Sequence, residues 1–328
     1  MGLAQDVVII STDTVGSSIH NMAVDLQRKW PGSDVVYAPG KDLHQKFVFN
    51  LRPGLTPELV KNWRTHKKSL VTLFAPNPEE FHKLDLVQIL MTATHYPLVA
   101  HSPYLMRLLK KTVRKTFSGT VAAKINENLH LIPYGVEEQF IPQKGDRGSW
   151  IVPYNRMSEG QKKVSVHARV SLTASQVIGM SGEVPKSTFF VGPGLADVTD
   201  EFYRDVYDVQ PQPGSREDYI RNAQGSGMFI STSAYESFGL MYLELLCCGV
   251  VGVFANAQWN KLLLPDYKFK APPGDLSDLV VRVYEDFDAS YAYVVEEVVP
   301  WIRDRYSIAT FSDRVRSLLL PEGVIDHD

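Results

Sequence analysis

Cysteine is nearly missing: the 328 residues contain two, Cys247 and Cys248, and these are adjacent. Neighbouring residues on a helix do not readily close a structural disulfide, so both thiols are expected to be reduced and packed, as a cytosolic chain allows. No Cys/His cluster at ligand spacing occurs, which argues against a structural zinc site. Long apolar runs are also missing. Val7–Ile10 is among the longest, far short of the roughly 20 residues a membrane helix needs, and no basic-then-apolar leader precedes a cleavage site. The expectation is a cytoplasmic chain without a transmembrane segment. Met1-Gly2 opens like an acylation signal, but Asp6 stands where Ser or Thr is wanted.

What is present is ordinary globular material, 44% hydrophobic and 22% charged, long enough for two domains with sizeable cores. The net charge of −3 conceals an asymmetry. Residues 1–140 carry 16 Lys and Arg against 12 Asp and Glu, a net +4, whereas residues 141–328 carry 18 against 25, a net −7. Seven of the nine histidines also fall in the first part. A positive domain points to an anionic partner, nucleic acid or an anionic membrane.

The chain is organised around Ser231 to Phe254. Met228-Phe229-Ile230 suits a buried strand, and Ser237-Phe238-Gly239 a turn; Leu240, Leu243, Leu246 and Cys247 recur at helical spacing until Gly249 ends the helix. Ligands of open α/β sheets bind beyond the carboxyl ends of strands, where helix N-terminal amides favour anions. The amides of Phe238, Gly239 and Leu240 are therefore candidate anion donors. Glu236 stands beside them, and Glu244, after seven intervening residues, is placed to accept two hydrogen bonds from a vicinal diol such as a ribose. Asp286-Phe287-Asp288 has the Asp-x-Asp form of metal-dependent transferases of another fold, but in a late acidic segment it reads as a solvated face, and no metal is expected.

This Glu-x7-Glu element with its glycine turn resembles that of retaining GT-B glycosyltransferases, in particular the family 4 type. Three other stretches agree in order and spacing: Leu131-Ile132-Pro133-Tyr134-Gly135-Val136-Glu137 with Phe140-Ile141-Pro142, Tyr154 to Lys163, and Arg303 to Ser307 with Phe311 to Val315. The resemblance runs from about Leu129 to the C-terminus. It implies a GT-B α/β architecture, two Rossmann-like domains facing a central cleft: residues 1–142 on the acceptor side, 143–300 for the nucleotide-sugar donor, and 301–328 as a helix crossing back. It also implies roles: Arg156 and Lys162 on the donor diphosphate, with Lys163 as the alternative to Lys162, Glu236 on the sugar and Glu244 on the ribose. A UDP-sugar is the expected donor, with no further cofactor. Retention would proceed by front-face attack, the leaving phosphate helping to deprotonate the acceptor; no separate carboxylate stands out as a nucleophile.

In the first part, Thr14 to Ser18 reads as a turn whose Gly16 either approaches a ligand or merely caps the following helix. His95 and His101 flank the strand Pro97 to Ala100 and are each candidates to contact the sugar or acceptor hydroxyl, with a structural role open for both. The helix from about Leu105 carries Arg107, Lys110, Lys111, Arg114 and Lys115 without an acid. Further expectations are strands at Trp150 to Pro153, Val206 to Val209 and Asp266 to Lys268, and a helical run broken at Pro300-Trp301.

Leu243-Glu244-Leu245, Cys248-Gly249 and Val253-Phe254 also resemble bacteriophage α-glucosyltransferases acting on hydroxymethylated cytosine. With the positive first half, this makes modified duplex DNA the first expected acceptor, in the host cytoplasm of a phage-encoded enzyme. The rival is a membrane glycolipid or cell-surface glycan. A GT-B sugar-nucleotide epimerase and a non-catalytic binding module remain alternatives.

Overall fold

Val7–Ile10 and Phe47–Asn50 are buried at every position, as strands covered by helices on both faces must be. The computed structural model describes residues 7–12, 18–37, 47–63, 69–75, 82–153, 159–182, 184–191 and 201–320. The chain divides into two units, one of residues 1–135 with 306–328, the other of residues 136–305. Among the described residues, no helix is long and apolar enough to cross a membrane.

The first unit is a six-stranded parallel sheet of β1 (Val7–Ile10), β2 (Asp34–Val36), β3 (Phe47–Asn50), β4 (Ser69–Phe74), β5 (Leu98–Ala100) and β6 (Leu129–Leu131). Its order is β2-β1-β3-β4-β5-β6, so the winding reverses between β1 and β3. Over β4 to β6 the helices Lys83–Thr92, Pro103–Thr116 and Gly119–Glu127 share one core, to which Leu105, Leu109 and Val113 contribute a stripe at i, i+4 and i+8. Full burial of each such side chain stabilises by about 1.5–3 kcal/mol. The final helix, Ile308–Leu319, belongs to this unit: the Phe311 ring packs on Tyr134 at 5.0 Å and on Phe49 at 6.4 Å. The return of the chain is close to Gly135, where a Cβ would lie 2.1 Å from the Ser307 carbonyl carbon, so only glycine fits.

The second unit holds β7 (Asp146–Ile151), β8 (Lys186–Val191), β9 (Asp208–Pro211), β10 (Ser226–Ser231), β11 (Val251–Ala255) and β12 (Lys270–Ala271), again all parallel. Their order, β12-β11-β10-β7-β8-β9, is that of a doubly wound dinucleotide fold, with its switch point between β7 and β10.

Several boundaries differ from the sequence expectation. β7 begins four residues before Trp150: Asp146 pairs with Ser226 of β10, and Asp146 and Arg147 are exposed, so the strand starts on polar residues that show no apolar alternation. Val206 ends a helix, Glu201–Val206, and the strand expected there is the polar edge strand β9. Asp266 to Lys268 precedes β12 and does not form it. Helix does not break at Pro300. A π-helical turn, Val294–Val298, comes first, with Val299 donating to the carbonyl of Val294; the wider turn lets a residue without an N–H enter the start of the next helix, Val299–Arg305.

Candidate functional site

At the switch point of the second unit, the segments leaving β7 and β10 are laced together. The Ala234 amide donates to the Gln161 carbonyl at 2.8 Å, and Thr232 Oγ1 donates to the Lys162 carbonyl at 2.7 Å. Lys163 takes a left-handed conformation (φ 53°), alone among the described non-glycine residues, and opens the helix Val164–Gly179.

This lacing brings together two of the expected residues. The Lys162 ammonium is salt-bridged to Glu236 Oε1, with each side chain only 10% exposed. Tyr242 OH donates to the same oxygen at 2.9 Å and lies 2.8 Å from Ser233 Oγ, while Gln161 Nε2 reaches Glu236 Oε2 at 3.4 Å. Glu236 is thus a carboxylate fixed in direction, next to a fixed cation.

Ser237 and Phe238 lead to Gly239, which caps the helix Leu240–Cys247 with φ 85°. A Cβ there would meet the Trp259 ring at 2.9 Å and Tyr242 at 3.0 Å. Trp259 buttresses the turn: its Nε1 donates to the Ser233 carbonyl at 2.9 Å, and its ring packs on Tyr242 with centroids 5.1 Å apart. First-turn amides of a helix have no intrahelical acceptors, so this end favours an anion.

Glu244, on the same helix, has a different partner. Arg216 Nη2 donates to Glu244 Oε1 at 2.9 Å, lies 3.4 Å from Glu137 Oε2, and places its guanidinium 4.9 Å from the centre of the Phe140 ring. Burial raises the Glu244 pKa, Arg216 opposes that rise and Glu137 adds to it. The Tyr219 phenol is pushed well above its usual range by burial, then by the Glu244 charge. Arg216, Gln161 and Trp259 escape the sequence reading, because each acts through a partner distant in sequence; Tyr242 escapes it too, although it is only six residues from Glu236. The faint signal for Arg216 is its place in the first turn of a Ser215-capped helix just after β9.

Of the other expected residues, Arg156 and Gly16 lie outside the described residues. His95 is exposed in the turn preceding β5, at the amino edge of the first unit's sheet. His101 follows β5 at the carboxyl edge and is buried, its Nδ1 3.2 Å from the Phe74 carbonyl at the end of β4. Since a carbonyl only accepts, Nδ1 carries the proton and Nε2 the lone pair. Burial lowers the His101 pKa to about 4, with the Phe74 hydrogen bond opposing. Asp288 is exposed and pairs with Lys144 at 2.7 Å; among the described residues no group of three His, Cys, Asp or Glu is arranged to hold a metal.

Two doubly wound parallel units of this kind define the GT-B fold. The chain is similar to HepE of Anabaena, solved with UDP and glucose and also with UDP-glucose. Against the UDP and glucose complex the TM-score is 0.72 at 12% identity, covering 96% of this chain and 99% of that one. It is similar to sucrose-phosphate synthase of Thermosynechococcus elongatus, with TM-score 0.66, 11% identity and coverage of 95% and 97%. It also resembles TarM of S. aureus, solved with fondaparinux, alpha-GlcNAc-glycerol and UDP; here the TM-score is 0.66 at 13% identity, covering 91% of this chain and 59% of that one. No protein-family model matches the chain, and no curated protein matches its sequence.

Proposed function

We propose that the chain is a nucleotide-sugar-dependent glycosyltransferase whose donor, a UDP-sugar, binds at the switch point of the second unit. The observation that carries this is the Lys162–Glu236 pair at the mouth of the glycine-capped helix, in a fold shared with a protein solved with UDP-glucose. In this reading the diphosphate receives the helix amides and Lys162, with Arg156 as the second cation. Preorganised donors of this kind stabilise the departing diphosphate as the anomeric centre becomes cationic. Glu236, held by Tyr242 and Gln161, accepts hydrogen bonds from sugar hydroxyls, and Glu244 accepts the ribose diol. On the acceptor side, His101 is preferred to His95, because it sits at the carboxyl edge of the parallel sheet, where open α/β sheets receive ligands, whereas His95 is at the amino edge.

For the acceptor, a carbohydrate hydroxyl is preferred to a hydroxymethylated pyrimidine. HepE is solved with glucose and TarM with alpha-GlcNAc-glycerol, whereas the DNA expectation rests on one short motif and the charge of the first part. The test is mass spectrometry after incubation with a panel of UDP-sugars and, separately, a bacterial glycolipid extract or hydroxymethylated duplex DNA. A sugar-sized gain on glycolipid, abolished by Lys162→Met and Glu236→Gln, is expected. Gain on the DNA nucleoside would replace the acceptor reading, and donor turnover without any acceptor gain would replace transfer by epimerisation or hydrolysis.

A further inference from the structure

We propose that the outer face of the helical layer over β4 to β6 docks on an anionic phospholipid surface. Helix Pro103–Thr116 buries Leu105, Met106, Leu109 and Val113 and exposes Arg107, Lys110, Lys111, Arg114 and Lys115. Those cations fall at i, i+3, i+4, i+7 and i+8, a single stripe over two turns, and the helix contains no acid to offset their mutual repulsion. The flanking helices share its core, and the successive crossovers β4 to β5 and β5 to β6 run in one direction, so all three lie on the same side of the sheet. Together they carry seven cations, adding Lys83 and Lys124, against Asp85 and Glu127, a net +5.

The same layer exposes large apolar side chains. Leu84 is 64% and Met91 43% exposed, and seven residues apart they share one side of helix Lys83–Thr92; Val121 is exposed on helix Gly119–Glu127. Cations beside apolar side chains match a lipid headgroup region, where phosphates meet the stripe and acyl chains receive Leu84 and Met91. Nucleic acid offers the phosphates but no apolar phase to receive Leu84 and Met91. The inference is independent of the donor-site reading, since it concerns the other unit.

The experiment is co-sedimentation of the full chain with vesicles of phosphatidylglycerol in phosphatidylcholine, against phosphatidylcholine alone and against duplex DNA. Binding to the anionic vesicles only, reversed by salt, is expected. A triple variant, Arg107→Gln with Lys111→Gln and Arg114→Gln, should lose about a hundred-fold in vesicle affinity. Leu84→Ser with Met91→Ser, unchanged in charge, should lose several-fold on vesicles while leaving any weak DNA binding as it was. All substituted positions are exposed, and circular dichroism confirms that each variant is folded. No enrichment on anionic vesicles, or vesicle binding indifferent to either variant, overturns the proposal; DNA binding tighter than vesicle binding makes the face a nucleic-acid surface.

Discussion

Arg216 determines whether Glu244 can be a ribose acceptor. Burial and the neighbouring Glu137 raise the Glu244 pKa while Arg216 opposes the rise, and a protonated carboxyl is a poor acceptor for a diol. Arg216 acts from a ring-stacked position over Phe140. Arg216→Gln is therefore expected to weaken UDP binding about ten-fold or more, as loss of a charge-assisted contact does. Because Glu244 must be ionised to bind, affinity in that variant should rise with pH, and Arg216→Lys should recover part of it. Calorimetric titration of UDP across pH checks this: affinity unmoved and flat with pH would make Arg216 a structural partner only, while Glu244→Gln without effect on UDP would remove the ribose assignment itself. The spacing of Glu236 and Glu244 was visible in the sequence. Their pairings were not, because Lys162 is 74 residues from Glu236 and Arg216 is 28 from Glu244.

At the scale of the element, the helix Leu240–Cys247 is apolar almost all round and buried from Tyr242 onward, so its N-terminal turn cannot shift to relieve strain. Gly239→Ala adds a Cβ against Trp259 and forces a left-handed φ on an L-residue, which costs about 1–2 kcal/mol for the conformation alone. The expected result is a fall in urea midpoint together with loss of UDP affinity; unchanged stability would mean that the turn relaxes. The helical period and glycine stop of this element were legible in sequence. The buttress Trp259 was not, since no local pattern joins it to a turn on another strand's loop. Nor was the π-turn ahead of Pro300, where a register change within a helix absorbs the missing N–H.

For the molecule as a whole, pH acts through buried imidazoles in both units. His101 and His167 are each lowered to about 4 by burial, the latter with Nδ1 2.5 Å from Tyr207 OH. The unfolded chain binds these protons near pH 6.5 and the folded one only near 4, so their contribution is full above pH 6.5 and is lost as pH falls towards 4. Each accounts for on the order of 3 kcal/mol across that window. Urea unfolding at stepped pH should show this loss, and His101→Gln should reduce it; an unaltered slope would mean that His101 is solvated. The sequence by itself determined individual βα units, through apolar runs followed by helical periods, and the turn that carries Glu236, because those signals are local; the GT-B architecture came from the resemblance of its motifs. Tertiary structure alone decided the strand orders, the reversal between β7 and β10 that brings Lys162 to Glu236, the claim of Arg216 on Glu244, and the burial of His101 against the Phe74 carbonyl. Such pairings depend on which strands become neighbours, and that is settled by burial and chain closure over many tens of residues, not by periodicity within a few.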